Sequence, residues 1–410
     1  MQLTNTTKNS VFNVTVLVAA LGYFVDIYDL LLFNIVRVES LQDLGLSAAE
    51  VKSEGEFIIS VQMIGLLIGG ILWGIMGDKK GRLSVLFGSI ILYSIANIVN
   101  GFVQTPNQYA LVRFVAGIGL AGELGAGITL VTEMISKEKR GISTSIVAGI
   151  GLTGAVAAFL VSKYFGWRNC YFIGGGLGFC LLLLRISVFE SKMFNQVKQT
   201  TVQRGNFFMF FTDKTRFKKY ITAILIGLPT WYVIGILIAF SNNFSEQFGM
   251  KEKMEPKFAT MYAYIAIALG DVLIGLVSYW LKSRKKALYI FYVLTMIAIA
   301  SYFMQDENTS LTNAYWICAA LGFGTGFWAI FVTMAAEQFG TNLRATAATT
   351  IPNMVRGSLP LMLLLFNGLQ SYYSYVTAGL ITGIVIMVIS FTAVIFTRET
   401  YGKELDYVEG

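Results

Sequence analysis

Apolar runs of about 20 residues recur along the whole chain, and each is long enough to cross the hydrocarbon core of a bilayer. Twelve can be delimited, at about 11–36, 57–76, 83–103, 108–134, 141–162, 169–189, 219–244, 258–281, 287–304, 313–338, 345–367 and 373–397. An outer-membrane barrel would instead show alternating strands of about ten residues, and none appears. The expected fold class is therefore an all-α polytopic membrane protein with 12 transmembrane helices. Composition agrees: 55% of the residues are hydrophobic, only 13% are charged, and the mean hydropathy is +0.64. A soluble globular domain carries about 25% charged residues.

The net charge of +7 raises the question of nucleic acid, and its placement answers it. With the N-terminus inside, 21 of the 31 Lys and Arg fall in cytoplasmic segments, seven in outside loops, and Arg113, Arg185 and Arg356 within spans. That asymmetry follows the positive-inside rule and fixes orientation. The basic balance reports topology, with the lipid bilayer rather than nucleic acid as partner. Cys170, Cys180 and Cys318 sit in spans, far apart in sequence, so no disulfide framework is expected. The chain has no histidine and no thiolate cluster, which argues against a soft metal site; no cofactor is expected. The first apolar run lacks a small-residue cleavage site and reads as a retained helix.

The basic loop at 190–218, with Lys192, Lys198, Arg204, Lys214, Arg216 and Lys218, divides the spans into bundles at 1–189 and 219–410. An internal repeat supports this division. EMISKEKRG begins at Glu133 and EQFGTNLRA at Glu337; each places an Arg seven residues on, Arg140 and Arg344, at an offset of 204. Two pseudo-symmetric six-helix bundles follow.

The loop between spans 2 and 3 reads GIMGDKKGRL. Its Gly74, Asp78, Lys79, Gly81 and Arg82 match the G-x-x-x-D-[RK]-x-G-R signature, and the chain thereby resembles the major facilitator superfamily. Gly74 allows two helices to approach closely. Asp78 suits a neighbouring Arg or a helix N-terminus, a contact able to latch one conformation. Glu133, Arg140, Glu337 and Arg344 join this candidate latch. The matching loop of the second half, LKSRKKAL, lacks the Gly and Asp, so a weaker latch is expected there. Span 4 and its exit, RFVAGIGLAGELGAGITLVTEMISKEKRG, resemble the metabolite:proton symporter and sugar-porter group through Arg113, Gly117, Gly122, Glu123, Glu133, Arg140 and Gly141, with Ala121 replacing one Gly. GYFVDIYDLLLF in span 1 fits that group's helix 1 pattern through Gly22, Asp26, Tyr28 and Asp29, with Ile27 in place of Trp. The resemblance implies proton-coupled uptake of a small organic metabolite, a carboxylate or a zwitterion, by alternating access.

Charges at a helix centre cost about 2.5–3.5 kcal/mol on insertion scales and usually pair or line a wet cavity. Asp26, Glu123, Asp271 and Arg356 fall near the middles of spans 1, 4, 8 and 11. Asp29 and Arg113 lie roughly 8–11 Å inside one boundary, counting 1.5 Å per residue, and are expected to pair. Asp29, switched by Arg113, is the expected proton site, with Asp26 and Glu123 shaping the cavity or relaying the proton. Arg356 has the fixed donor fork that suits a carboxylate. Asp271, Tyr23, Tyr28, Gln62, Trp231, Tyr232 and Asn353 complete the candidate substrate site; Asn34 and Trp328 are further polar or aromatic neighbours. Pro229 and Pro352 are expected to kink spans 7 and 11.

No P-loop pattern is present, which argues against primary pumping, and no nucleophile constellation suggests an enzyme. The expected function is secondary proton symport, with a proton-coupled efflux antiporter of the same fold as the alternative. The expected setting is a bacterial inner membrane, both termini cytoplasmic, the protein acting as a monomer.

Overall fold

The computed structural model describes residues 14–135, 139–184, 204–405 and 407–409, the side chains of residues 14, 15, 48, 49 and 140 excepted. Residues 185–203, which include Arg185 and the first part of the expected loop, lie outside the described residues. Among the described residues there is no strand. The first half contains α1 (Val14–Asp43), α2 (Ala48–Lys80), α3 (Arg82–Asn100), α4 (Pro106–Leu120), α5 (Glu123–Met134), α6 (Arg140–Leu152), α7 (Gly154–Tyr164) and α8 (Trp167–Leu184). The second contains α9 (Met209–Thr212), α10 (Lys214–Tyr232), a π-helix (Val233–Ile238), α11 (Ser241–Gln247), α12 (Pro256–Trp280) and α13 (Arg284–Phe303). It continues with α14 (Leu311–Gly324), α15 (Trp328–Glu337), α16 (Arg344–Gly357), α17 (Leu359–Leu369) and α18 (Tyr375–Phe396).

Among the described residues, eleven helical segments are long and apolar enough to cross a membrane. The expected span at 345–367 corresponds to α16 and α17 laid end to end. It falls short in apolarity because α16 reads RATAATTIPNMVRG, nearly all of it buried against protein rather than lipid. The lipid-facing surface elsewhere is conspicuously apolar, with Leu72, Leu361 and Ile384 at least half exposed. Helices outlast the apolar runs that predicted them. The 33 residues of α2 make a rod of about 50 Å at 1.5 Å per residue, against about 30 Å of hydrocarbon. Its start is set by a capping box, with Ser47 and Glu50 satisfying each other's backbone N–H groups.

Five spans are interrupted. Span 4 breaks at Ala121–Gly122, span 5 at Thr153, span 10 at Thr325–Phe327 and span 11 at Ser358. Span 7 passes into the π-helix four residues after Pro229, where the ring has removed a ladder donor. Pro352, expected to kink span 11, lies inside a continuous α16; the break falls at Ser358, ahead of Pro360 in the first turn of α17.

The halves meet where α2 packs on α16 and α6 packs on α12. Small residues permit this. A β-carbon at Gly74 would lie 3.0 Å from the Cα of Thr346, and one at Gly275 would lie 2.4 Å from Ser145 Oγ. These glycines occupy matching places, 201 residues apart, one on each side of the interface. Buried ion pairs repeat the same symmetry: Arg82 with Glu133 at 2.7 Å, and Arg284 with Glu337 at 3.0 Å.

Candidate functional site

A narrow central cavity, with room for little more than a water molecule, lies between the halves. The first half contributes Tyr23, Ile27, Leu30 and Leu152; the second contributes Thr230, Trp231, Tyr264, Ile267, Trp328 and Arg356. Tyr23, Ile27 and Leu30 are spaced i, i+4, i+7, one face of α1. The wall is mostly apolar and aromatic, which makes its few polar groups informative.

Arg356 is the strongest of them. It is 2% exposed and makes no ion pair among the described residues. Its Nη1 donates to Asn353 Oδ1 at 3.2 Å, and its guanidinium lies 5.6 Å from the Trp328 ring centroid. Its Nε has no hydrogen-bond partner, and neither do Trp328 Nε1 and Thr230 Oγ1. A buried charge without a counterion is costly, and these three unpaired donors all belong to residues that line the cavity. Thr230 and Tyr264 join the expected Trp231, Trp328 and Arg356 here; the face they share appears only once the helices are packed.

Several expected members do other things. Asn353 positions Arg356 and bridges the halves, its Nδ2 donating to the Ala121 and Thr349 carbonyls at 2.8 Å each. Asp271 Oδ1 accepts from Ala329 N–H at 3.0 Å, capping α15 beside the cavity rather than lining it. The Tyr28 hydroxyl donates to the Cys170 carbonyl and that of Tyr232 to the Gly379 carbonyl; both tie spans together and do not line the cavity. Gln62 belongs to the ion pair described next.

Asp29 Oδ1 lies 2.9 Å from Arg113 Nη1, and both side chains are fully buried. Arg113 also donates to the Asp29 backbone carbonyl at 3.1 Å, to Gln62 Oε1 at 3.3 Å and to Asn97 Oδ1 at 3.4 Å. Gln62 in turn donates to the Leu30 carbonyl, and Leu30 lines the cavity. Asp29 Oδ2 has no hydrogen-bond partner. Asp26 is fully buried one turn from Tyr23, and Tyr23 is within electrostatic reach of Asp26, Asp271 and Arg356. Glu123, also buried, opens α5 just beyond the Ala121 carbonyl that Asn353 holds.

The profile of the Major Facilitator Superfamily matches residues 19–358. The chain belongs to that superfamily. A niacin transporter, NiaP, of Acinetobacter baylyi is 23% identical over 97% of this chain and 96% of its own length. A gentisate transporter of Corynebacterium glutamicum is 23% identical, covering 78% of this chain and 73% of the relative. The 4-hydroxybenzoate transporter PcaK of Pseudomonas putida is 24% identical, covering 79% and 66%. In structure, the proton:xylose symporter XylE superposes with a TM-score of 0.76 at 16% identity, over 96% of this chain and 97% of that one. The protein is accordingly a multi-pass transporter of small molecules and not an enzyme.

In this facilitator the signature loop joins the halves. Asp78 Oδ1 accepts from Ala345 N–H at 3.1 Å, and Oδ2 accepts from Thr346 N–H at 2.8 Å and its hydroxyl at 2.6 Å. A carboxylate at the N-terminus of α16 complements its dipole. Arg82 joins Asp78 at 3.5 Å and Glu133 at 2.7 Å, and Glu133 also meets Arg344 of the other half at 3.2 Å. Gly81, with φ of 107°, makes the tight turn into α3. Lys79 is exposed and takes no part in the buried network. Glu337 pairs within its own half, with Arg284 and the Thr400 hydroxyl. The side chain of Arg140 lies outside the described residues.

Proposed function

We propose that this facilitator imports small carboxylates, aromatic acids among them, together with protons, by alternating access. One observation carries the reading: the buried Arg356 guanidinium beside the central cavity with a donor left open. Its planar fork suits a carboxylate, while Trp231, Trp328, Tyr23 and Tyr264 offer flat apolar walls for a ring. The names of the relatives, transporters of niacin, gentisate and 4-hydroxybenzoate, support the same substrate class. Asp29 is the proton site, and Arg113 is the switch. An adjacent guanidinium favours the charged carboxylate, and its withdrawal in a dry site favours the neutral acid. Asp26 and Glu123 flank the route between Asp29 and the cavity.

The distribution of Lys and Arg supports cytoplasmic termini in a bacterial inner membrane, which puts the Asp78 latch on the cytoplasmic face. A single chain contains both walls of the cavity, which supports function as a monomer. The test is uptake into proteoliposomes of radiolabelled nicotinate, gentisate and benzoate, under an imposed inward proton gradient, with a pH-sensitive dye inside. Carboxylate-dependent proton entry is the expected result. The absence of any such flux for all three acids, or flux only when the gradient drives export, would overturn the import reading; the second outcome would identify the efflux antiporter.

A further inference from the structure

At the end of the bundle opposite the Asp78 latch, a second cavity opens between the halves, with an empty volume of about 840 Å³ that includes solvent. Its polar wall is Arg37, Gln42 and Lys52 from the first half and Asn242 and Asn243 from the second. Arg37 is only 4% exposed. Its Nη2 donates to the Ala239 carbonyl at 3.2 Å, and its guanidinium sits 5.2 Å from the Phe240 ring centroid, both in the other half. Its Nε and Nη1 have no partner, and among the described residues it makes no ion pair. Glu56 is the acidic group within electrostatic reach. Lys52 lies over Tyr375 of the other half at 5.4 Å. Two cations and three amides thus surround the opening, and each cation also touches the opposite half.

We propose that this vestibule is an outer capture site for small carboxylates, and that Arg37 serves it as both binder and gate. The inference rests on the reading that the substrate is an organic anion and on the orientation given above. The Nε and Nη1 donors of Arg37 are buried and unpaired, so a carboxylate entering the vestibule gains them as the guanidinium swings away from the Ala239 carbonyl. A bidentate anion is a stronger acceptor for a guanidinium than a single carbonyl. It therefore competes with Ala239, whose position just past the π-helix (Val233–Ile238) leaves that carbonyl for Arg37 at a break between helices. Capture of the anion and loosening of the outer closure become one event, upstream of the central site.

The experiment reads charge in the vestibule without using transport. Full-length protein carrying Asn243→Cys, in a Cys180→Ala background that leaves Cys170 and Cys318 buried, is placed in phosphatidylcholine nanodiscs. It is then labelled with methanethiosulfonate reagents bearing a sulfonate or a quaternary ammonium. Normalised to a free thiol, the anionic reagent should react about tenfold or more faster, the enrichment expected in a cleft lined by one sign of charge. Arg37→Gln should abolish that preference. Lys52→Gln, at an exposed position, should reduce it and serves if the first variant fails to fold. Millimolar benzoate should slow labelling and benzamide should not. Adding Arg356→Gln should leave the benzoate protection intact, separating this site from the central one even if uptake is lost. A rate ratio near one, equal protection by benzamide, or loss of protection with Arg356→Gln would overturn the proposal.

Discussion

Asp29 meets Arg113 through one carboxylate oxygen only, Oδ1 at 2.9 Å, while Oδ2 is buried without a hydrogen-bond partner. The pair therefore holds a charge while leaving one position for a proton. Arg113 would keep its bonds to the Asp29 backbone carbonyl, Gln62 and Asn97 if the carboxylate were made neutral. Asp29→Asn is thus expected to fold, to lose accumulation driven by a pH gradient, and to retain exchange of labelled for unlabelled substrate. Counterflow assays in proteoliposomes measure both. Accumulation persisting in Asp29→Asn would remove Asp29 from the coupling role.

Arg356→Gln removes the charge but keeps a donor. Hydrogen bonds to charged groups contribute about 1.5–3 kcal/mol, so carboxylate affinity should fall roughly tenfold to a hundredfold. Arg356→Lys should recover little of this, because a point charge cannot reproduce the fork. Trp328, 5.6 Å from the guanidinium, offers an intrinsic fluorescence readout of the titration.

The closeness of Gly74 to Thr346 predicts a conformational bias. In Gly74→Val the new side chain would press on the Thr346 backbone, whose Cα lies 3.0 Å from the β-carbon position. Overpacking of this kind costs about 1–3 kcal/mol, and here the cost falls on the state in which this end is closed. Spin labels at Lys79→Cys and Lys286→Cys, both exposed and in opposite halves, should report a longer distance distribution than in the parent.

Glu399, just beyond the last membrane helix, accepts from Ser283 Oγ at 2.5 Å and from the N–H groups of Arg284 and Lys285 at 2.9 and 3.2 Å. Burial pushes its carboxyl up, but the hydrogen bonds from Ser283 and from the backbone at Tyr401, Arg284 and Lys285 outweigh it and hold the group below its ordinary value. A depressed carboxyl stabilises the docked tail above its unfolded value, about 4.3, and that contribution is lost as pH falls through the folded value. Amide exchange at Arg284 and Lys285, corrected for intrinsic rates, should accelerate below about pH 4. Glu399→Gln should show the fast exchange at neutral pH.

Much of this molecule can be read from hydropathy, because a membrane helix announces itself by length and apolarity. Depth along a helix is equally legible, which is why Asp29 and Arg113 could be matched by counting residues. Azimuth is harder. At about 100° per residue, Tyr28 lies five positions from Tyr23 and so points away from the Tyr23–Ile27–Leu30 face, toward span 6. Trp231 and Tyr232 are neighbours and cannot both face the cavity. Asp271 looked like a binding group because charge at midplane suggests function; its acceptor role at Ala329 depends on a break in span 10 that no apolar run reveals. Arg37 escaped notice because an arginine at a span's end is commonplace, and only its unfilled donors and its reach to Ala239 distinguish it.

Glu133 is shared by Arg82 from its own half and Arg344 from the other, while Arg344 also donates to the Leu405 carbonyl within its own half. When the halves part, each of these charges keeps an acceptor or donor on its own side. Neither is stranded in a dry interior, the circumstance that makes breaking a buried pair so unfavourable. The catch can therefore part without leaving Glu133 without a cation or Arg344 without an acceptor, which suits a protein that must open and shut on every cycle of turnover.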